Sequence, residues 1–406
     1  MAKIQLGVIF GSRSCEREVS IISAIQLMNH VNTDVYDVIP VYISETGIWY
    51  TGSKLRDIRT FQHFQPDQSG IERVILDTTA GSGALLATHG KKGLFTHQEQ
   101  VVAARMEVCL IVMHGLNGED GTLQGLLELC NIPYSSTGVA GSAIGMDKIM
   151  MKQFFRGAGL PVLPGTWYTR THWQDAREDV LDDVEKQLGY PVFVKPANLG
   201  SSIGVSRADN REELQDALEL AYEYDRRVLV EKGLDEPMEL NCSVLGYDED
   251  VSASPIEMPV VSAHHMLDFQ EKYLQHGGSK GMASLSRVLP APIGDDLTKE
   301  LQDLSCRIFR LMDCKGVVRI DYMFDKQSGK TYITEINTIP GSLAFYLWEA
   351  GGVKYSELID RMVRYAKLAW EDRNERNYAY TSNILESVSL GSKGSKGSKG
   401  SKGVKL

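Results

Sequence analysis

Apolar strand-like segments alternate with helix-like segments over the first third of the chain, and this alternation restricts the fold more than any other feature. Residues 4–11, 36–44 and 108–115 predict buried strands, and helical periodicity follows the first of them. Such alternation is typical of a parallel α/β layer, in which ligands bind at the carboxyl ends of the strands. Glu16 and His114 follow two of these ends. A charge at a helix N-terminus and a hydrogen-bonded turn histidine explain them as well.

A change of pattern near Met146 predicts the start of a second domain. A helix, a Gly-Leu-Pro break and a strand follow, and then an apolar strand ends at Lys195, where a lysine is costly unless it meets an anion. The small residues of the next loop, 198–204, leave backbone N–H groups that can bind phosphate oxygens. The loop is not a Walker A sequence, and a plain hairpin turn fits the same residues.

The segment 319–337 predicts two strands joined by a short KQSG turn. Residues two apart in a strand share a face, so Arg319 lies beside Asp321 and Glu335 beside Asn337. A solvated outer face accounts for this alternation. Alternatively, Asp321, Glu335 and Asn337 form a Mg²⁺ site, because Mg²⁺ prefers carboxylate and other oxygen ligands. Such a site predicts a nucleotide nearby.

Two further segments fit a nucleotide site. The strand "RVLVEK" ends in Glu231 and Lys232, as in a hinge that holds adenine between two lobes, although charges after a strand are commonplace. Residues 264–296 are polar, dotted with glycine and without clear periodicity. Loops of this length in compact enzymes serve as lids or binding loops.

Charge and cysteine content exclude several classes of function. The net charge of the 406-residue chain is −10, and residues 392–406 carry five lysines and no acid, so the remainder is near −15 (−10 − 5). Such a surface argues against binding to nucleic acid or to anionic membranes. No apolar run approaches the roughly 20 residues that span a bilayer. The six scattered cysteines lack a CxxC pair and fit buried thiols in a reducing cytoplasm.

Seven segments, in this order along the chain, resemble the D-alanine–D-alanine ligase family of the ATP-grasp superfamily: "CEREVSIIS", "HGLNGEDGTLQGLLEL", "MDKIMMK", "VKPANLGSSIGVS", "EKY", "GVVRIDYMFD" and "EINTIPG". The resemblance covers about residues 3–375. It implies a three-domain α/β ATP-grasp fold with an N-terminal parallel α/β domain. The implied divisions are 1–145 for the N-terminal domain, 146–237 for the central lobe, 238–378 for the C-terminal lobe and 379–406 for a low-complexity tail of SKG triplets.

The activity that the resemblance implies is the ATP-dependent joining of two D-alanines through an acylphosphate, for peptidoglycan synthesis. The implied cofactors are ATP and two Mg²⁺ ions, with Mn²⁺ as a substitute. The expected protein is a cytoplasmic homodimer that binds small-molecule substrates and neither nucleic acid nor membrane.

The residues that match the family motifs carry implied roles. Glu16, with His114 close by, would bind the ammonium of the first D-alanine, and Ser201 and Tyr273 would complete a hydrogen-bond chain with Glu16. The residues that would hold ATP are Lys148, Lys195, Ser202, Glu231, Lys232, Glu239 and Lys272. The metal ligands would be Asp321, Glu335 and Asn337; the oxyanion would be stabilised by Arg319 and the Gly341 N–H; and the carboxylate of the second substrate would be bound by Ser342 and Leu343.

Two departures from the family pattern affect the second substrate. Ser342 follows Gly341 directly, where the usual pattern has four intervening residues, and the lid after Tyr273 is longer than in short-loop relatives. Tyr273 favours D-alanine as the second substrate, while D-serine or another amino acid, as in secondary-metabolite amide formation, is the alternative. A third hypothesis is a nucleotide-binding regulator without turnover, which would need neither Arg319 nor a complete metal set.

Overall fold

The structure is a computed structural model that describes residues 2–88, 101–260 and 287–377. The chain divides into two compact units, Met1–Trp370 and Glu371–Leu406. Of the second unit, 371–377 are described, and they are helical as far as Asn374. The predicted low-complexity tail and most of the predicted lid lie outside the described residues.

The first sheet has seven strands in the order β6-β5-β4-β3-β2-β1-β7. They span β1 Ile4–Gly11, β2 Tyr36–Ile43, β3 Trp49–Thr51, β4 Glu72–Leu76, β5 Ala84–Ala87, β6 Val102–Arg105 and β7 Val108–Ile111. The predicted parallel layer is confirmed for β2, β1 and β7. Strands β3 to β6 extend it as antiparallel neighbours, which need no crossover helix and so leave no strand–helix alternation in the sequence.

Two antiparallel sheets of four strands follow, in the orders β10-β9-β11-β8 and β13-β12-β16-β17. Their strands are β8 Gly165–Thr169, β9 Val192–Pro196, β10 Ser206–Ala208, β11 Arg227–Lys232, β12 Met238–Tyr247, β13 Asp250–Ala253, β16 Lys315–Asp325 and β17 Lys330–Asn337. A short pair joins β14 Met258–Pro259 to β15 Arg287–Val288. The predicted hairpin is therefore confirmed as β16 and β17.

The α-helices span Arg17–His30, Arg59–Gln62, Thr122–Leu129, Val139–Met146, Lys148–Gly157, Arg170–Asp175, Arg177–Gln187, Arg211–Tyr224, Asp295–Leu311, Phe345–Ala350 and Tyr355–Asn374, and 3₁₀ turns lie at Ser53–Arg56 and Gly341–Ala344. The helix Thr122–Leu129 has Gly121 as its N-cap residue, and Asp120, one residue earlier, accepts a hydrogen bond from the Thr122 N–H at 2.9 Å. This bond satisfies an N–H group that has no partner within the helix.

Three large apolar cores and two small ones lie within the described residues of the first unit. One surrounds β1, β2 and β7 and includes the inner face of the helix Tyr355–Asn374. A second lies between β12, β16 and β17 and the helix Asp295–Leu311. The third fills the space between β8–β11 and the helices Arg177–Gln187 and Arg211–Tyr224. The predicted domain boundaries stay predictions.

Candidate active site

The β16–β17 hairpin carries four polar side chains that line one cavity of the protein. Asp321 lies opposite Glu335 in the strand register, and Arg319 lies opposite Asn337. The Arg319 guanidinium donates to both carboxylate oxygens of Asp321 at 2.6 Å, and Asn337 Nδ2 donates to Asp321 Oδ2 at 3.0 Å. Because β-strand side chains alternate, the predicted grouping of these residues on matching faces is confirmed.

Burial and the neighbouring Arg319 have opposite effects on the ionisation of Asp321. Burial raises the pKa of Asp321, and the Arg319 guanidinium opposes that rise. Among the described residues, no set of three His, Cys, Asp or Glu side chains could hold a metal. A divalent cation here would therefore need the amide oxygen of Asn337 beside the two carboxylates of Asp321 and Glu335. These oxygen donors fit the chemistry of Mg²⁺ or Mn²⁺.

The loop after β9 contributes Gly200, Ser201 and Ser202 to the same cavity as the hairpin. Ser201 and Ser202 have positive φ values of 54° and 58°, a conformation that L-residues seldom adopt and that recurs at ligand sites. The Ser201 hydroxyl donates to Glu16 Oε1, so the loop contacts the segment that follows β1. Lys148 Nζ donates to the Leu199 carbonyl at 2.7 Å and lies 3.8 Å from Glu335 Oε2.

Glu231, on β11, is a buried carboxylate that lies between Lys195 and Lys152. Glu231 Oε2 accepts from Lys195 Nζ at 2.7 Å, and Glu231 Oε1 lies 2.6 Å from Lys152 Nζ. Burial raises the pKa of Glu231, but the two ammonium groups outweigh it and the net shift is downward. Lys152 lies on the helix Lys148–Gly157. The N-cap residue of this helix, Asp147, accepts hydrogen bonds from the Ile149 and Met150 N–H groups.

His114 joins the end of β7 to the segment after β17. Its Nδ1 donates to the Ile339 carbonyl at 2.9 Å, which leaves Nε2 to accept from Ser23 Oγ at 3.1 Å. The Ser23 oxygen in turn accepts from the Ser342 N–H at 3.0 Å. Burial lowers the pKa of His114 to about 4, so the ring is neutral near pH 7.

The turn after Gly341 is unusual. Ser342, Leu343 and Ala344 have φ values of 51°, 54° and 49°, so three consecutive L-residues lie in the left-handed region. Each such residue costs roughly 1–2 kcal/mol. Ser342 is 1% exposed, and its hydroxyl donates to Gln26 Oε1 at 2.8 Å. The shortened sequence thus packs against the helix Arg17–His30.

One cavity of about 230 Å³ brings most of the predicted residues together. The predicted residues that line it are Glu16, His114, Lys148, Lys195, Ser201, Ser202, Glu239, Arg319, Asp321, Glu335, Asn337 and Gly341. Glu231 lies directly behind Lys195, and Lys232 donates to the Tyr190 carbonyl at 2.7 Å. The buried Ser342 and Leu343 lie beyond Gly341. Lys272 and Tyr273 lie outside the described residues, so their roles, like the other assigned roles, stay predictions.

Three charged residues of the cavity lining were not singled out from the sequence. Glu119 accepts from the Gly115 and Ile339 N–H groups at 2.8 and 3.1 Å, and burial, with the nearby Glu16, raises its pKa to about 8. Lys152 lies four residues after Lys148, a helical spacing that could have revealed it. Glu257 contacts Arg287 at 2.9 Å, and no local pattern identifies that pair.

Solved structures with the same fold define the class of protein. A D-alanine–D-alanine ligase structure from Coxiella burnetii matches with a TM-score of 0.76 and 24% identity, covering 92% of this chain and 97% of that one. The VanG D-Ala:D-Ser ligase of Enterococcus faecalis matches with a TM-score of 0.74 and 28% identity, covering 90% of this chain and 100% of that one. The fold is an α/β ATP-grasp fold.

The sequence comparisons give the family. Residues 5–137 match the model of the D-ala D-ala ligase N-terminus, and residues 154–364 match that of the C-terminus. The D-alanine–D-alanine ligase of Heliobacterium modesticaldum is 42% identical over 89% of this chain and 94% of its own length, and that of Thermosipho africanus is 35% identical over 94% and 98%. The chain belongs to the D-alanine–D-alanine ligase family.

Proposed function

We propose that this protein is an ATP-dependent ligase that joins two D-alanine molecules into D-alanyl-D-alanine for peptidoglycan synthesis. The observation that carries the proposal is the hydrogen bond from Ser201 to Glu16. It joins the loop suited to phosphate to the carboxylate suited to an amino-acid ammonium. Activation of a carboxylate by ATP requires the amino acid and the terminal phosphate of ATP to lie side by side.

The first D-alanine binds with its ammonium at Glu16 and with the neutral His114 ring close by. Its carboxylate attacks the terminal phosphorus of ATP, which gives an acylphosphate and ADP. Lys148 and Lys195 hold the phosphates, with Ser202 from the loop and Lys272 from the lid. Asp321, Glu335 and Asn337 would hold two Mg²⁺ ions, or Mn²⁺ in their place, and the bound ions would neutralise the charge of the transferring phosphoryl group.

The second D-alanine attacks the acylphosphate carbon through its free amine. A C–N bond forms, a tetrahedral oxyanion collapses, and inorganic phosphate leaves with one oxygen of the original carboxylate. Arg319 and the Gly341 N–H stabilise the oxyanion. Ser342 and Leu343 are proposed to bind the carboxylate of the second substrate, while Tyr273 completes the hydrogen-bond chain with Ser201 and Glu16 across the lid.

The adenosine portion lies between the two antiparallel sheets. Glu231 accepts from the adenine amino group, Glu239 binds the ribose, and Lys232 completes the hinge. None of the helices in the described part of the chain is long and apolar enough to cross a membrane. A cytoplasmic homodimer that binds only small-molecule substrates is the proposed working form.

The shortened left-handed turn after Gly341 supports a second candidate, a ligase that takes D-serine or another amino acid second. Release of phosphate from ATP should be measured with D-alanine, D-serine, L-alanine and D-lactate, each alone and paired with D-alanine. Release with D-alanine alone supports the first proposal. Release that needs a different partner supports the second, and ATP binding without any release would replace both with a regulatory role.

A further inference from the structure

Glu257 is a charged residue of the cavity lining to which the proposed reaction has so far given no role. It lines the same cavity as Arg319 and Asp321, and its side chain is 4% exposed. A buried carboxylate is costly unless it is paired and hydrogen-bonded, and a neutral side chain of the same length would avoid that cost. The charge at this position is therefore the feature that needs an explanation.

The carboxylate of Glu257 is held by donors from three different elements. Oε1 lies 2.9 Å from Arg287 Nη1, while Oε2 accepts from Asn241 Nδ2 at 3.2 Å and from the Tyr346 hydroxyl at 3.3 Å. Both contacts to Oε2 are longer than the commonest values for such bonds. A carboxylate offers about four lone-pair sites, so the donors within the described residues leave room for one from a ligand.

The sheet places Glu257 on the same face as the proposed oxyanion site. Asn241 pairs with Asp321 on one side and with Glu257 on the other, and residues that pair directly share a face. Arg319 lies two residues before Asp321, on that face. Burial lowers the pKa of Arg319, and the charges of Asp321 and Glu257 are among those that raise it well above its ordinary value. Glu257 is thus within electrostatic reach of the Arg319 guanidinium.

Tyr346 connects Glu257 to the proposed subsite of the second amino acid. It lies on the helix Phe345–Ala350, directly after the left-handed turn that follows Gly341. Its hydroxyl donates to Glu257, and the Arg287 guanidinium lies 3.8 Å from the centre of its ring. The amine and the carboxylate of an α-amino acid are bonded to the same carbon. A substrate whose carboxylate binds at this turn therefore brings its amine into the part of the cavity near Glu257.

We propose that Glu257 is the general base of the second step, which rests on the proposed ligase function. At neutral pH the amine of the second amino acid is an ammonium group without a lone pair, so one N–H bond must break as the C–N bond forms. Glu257 takes this proton. The second proton leaves with inorganic phosphate when the tetrahedral intermediate collapses. The charged and titratable groups that face Glu257 are Arg287, Tyr346, Arg319 and Asp321.

The test compares two nucleophiles in the full chain with ATP, Mg²⁺ and saturating D-alanine. One is D-alanine, and the other is added hydroxylamine, which is a free base near neutral pH and can attack the acylphosphate without help from a protein base. Glu257→Gln should lower the rate of dipeptide formation about 10²-fold or more and keep D-alanine hydroxamate formation within about threefold of the native rate. The matched control, Glu223→Gln, removes an exposed carboxylate and should keep both rates.

The two products separate this inference from the proposed function. A native protein that forms neither dipeptide nor hydroxamate would overturn both, whereas equal changes of the two rates in a folded Glu257→Gln protein, or no change in either, would overturn the inference alone. The melting temperature checks folding. If Glu257→Gln does not fold, Glu257→Asp decides, because it keeps the charge and withdraws the carboxylate by one methylene group. A lower ratio of dipeptide to hydroxamate supports the inference, and the native ratio overturns it.

Discussion

Arg319 and Asp321 form a two-point ion pair between neighbouring residues on one face of β16, with both nitrogen–oxygen distances at 2.6 Å. Both side chains are largely buried, so the planar guanidinium is oriented before any substrate binds. A lysine at this position would keep the charge and lose the paired geometry.

Arg319→Lys should therefore fold normally and lose most of its activity. We expect kcat to fall about 10²- to 10³-fold, as when a donor to a developing oxyanion is removed. Steady-state kinetics with saturating D-alanine and ATP measure the loss. Arg307→Lys, an exposed position on the helix Asp295–Leu311, is the control. Near-native kcat in Arg319→Lys would remove this residue from the oxyanion site.

Glu335→Gln should nearly abolish turnover and leave the melting temperature close to that of the native protein. The change keeps the size of the side chain and removes a carboxylate that Mg²⁺ prefers over an amide. Kinetics across a range of Mg²⁺ concentrations check the expectation, with the exposed Glu300→Gln as the matched control. Full turnover by Glu335→Gln at saturating Mg²⁺ would contradict the metal assignment.

The stability of the protein should depend on His114 in acid. Its pKa is about 4 in the fold, lowered mainly by burial, against 6.5 as the ordinary value. The stabilising contribution of the neutral ring is therefore complete above pH 6.5 and is lost as the pH falls toward 4. Over that range it amounts to roughly 3 kcal/mol.

Thermal unfolding of the native protein and of His114→Gln between pH 7.5 and 4.5 measures this contribution. The native protein should lose more stability than the variant as the pH falls, so the difference between their melting temperatures should shrink. The exposed His172→Gln variant should follow the native curve. Parallel curves for the native protein and His114→Gln would show that the fold does not lower the pKa of this ring.

The left-handed turn predicts opposite outcomes for two alanine-to-glycine changes. Ala344→Gly should melt at or above the native temperature, because glycine adopts a φ of 49° without strain. Ala350→Gly, at the end of the helix Phe345–Ala350, should lose about 0.5–1 kcal/mol. Calorimetric unfolding compares them. An equal loss in both variants would mean that residue 344 is not strained.

Local patterns in the sequence predict much of this site, because the hairpin and the helices that carry it have strict periodicity. The two-residue alternation gives the shared face of Arg319 and Asp321. The Lys152–Glu231 pair joins residues far apart in the chain, which no local pattern encodes. The conformation of residues 342–344 depends on packing against Ser23 and Gln26 and could not be predicted from three ordinary side chains.

The transfer of a carboxylate oxygen tests the central claim most directly. The protein should be incubated with Mg²⁺, ATP and D-alanine labelled with ¹⁸O in its carboxylate, and the products analysed by mass spectrometry. Passage through an acylphosphate requires one labelled oxygen to appear in inorganic phosphate for each D-alanyl-D-alanine formed. Dipeptide formation with unlabelled phosphate, or ATP cleavage without dipeptide, would contradict the account.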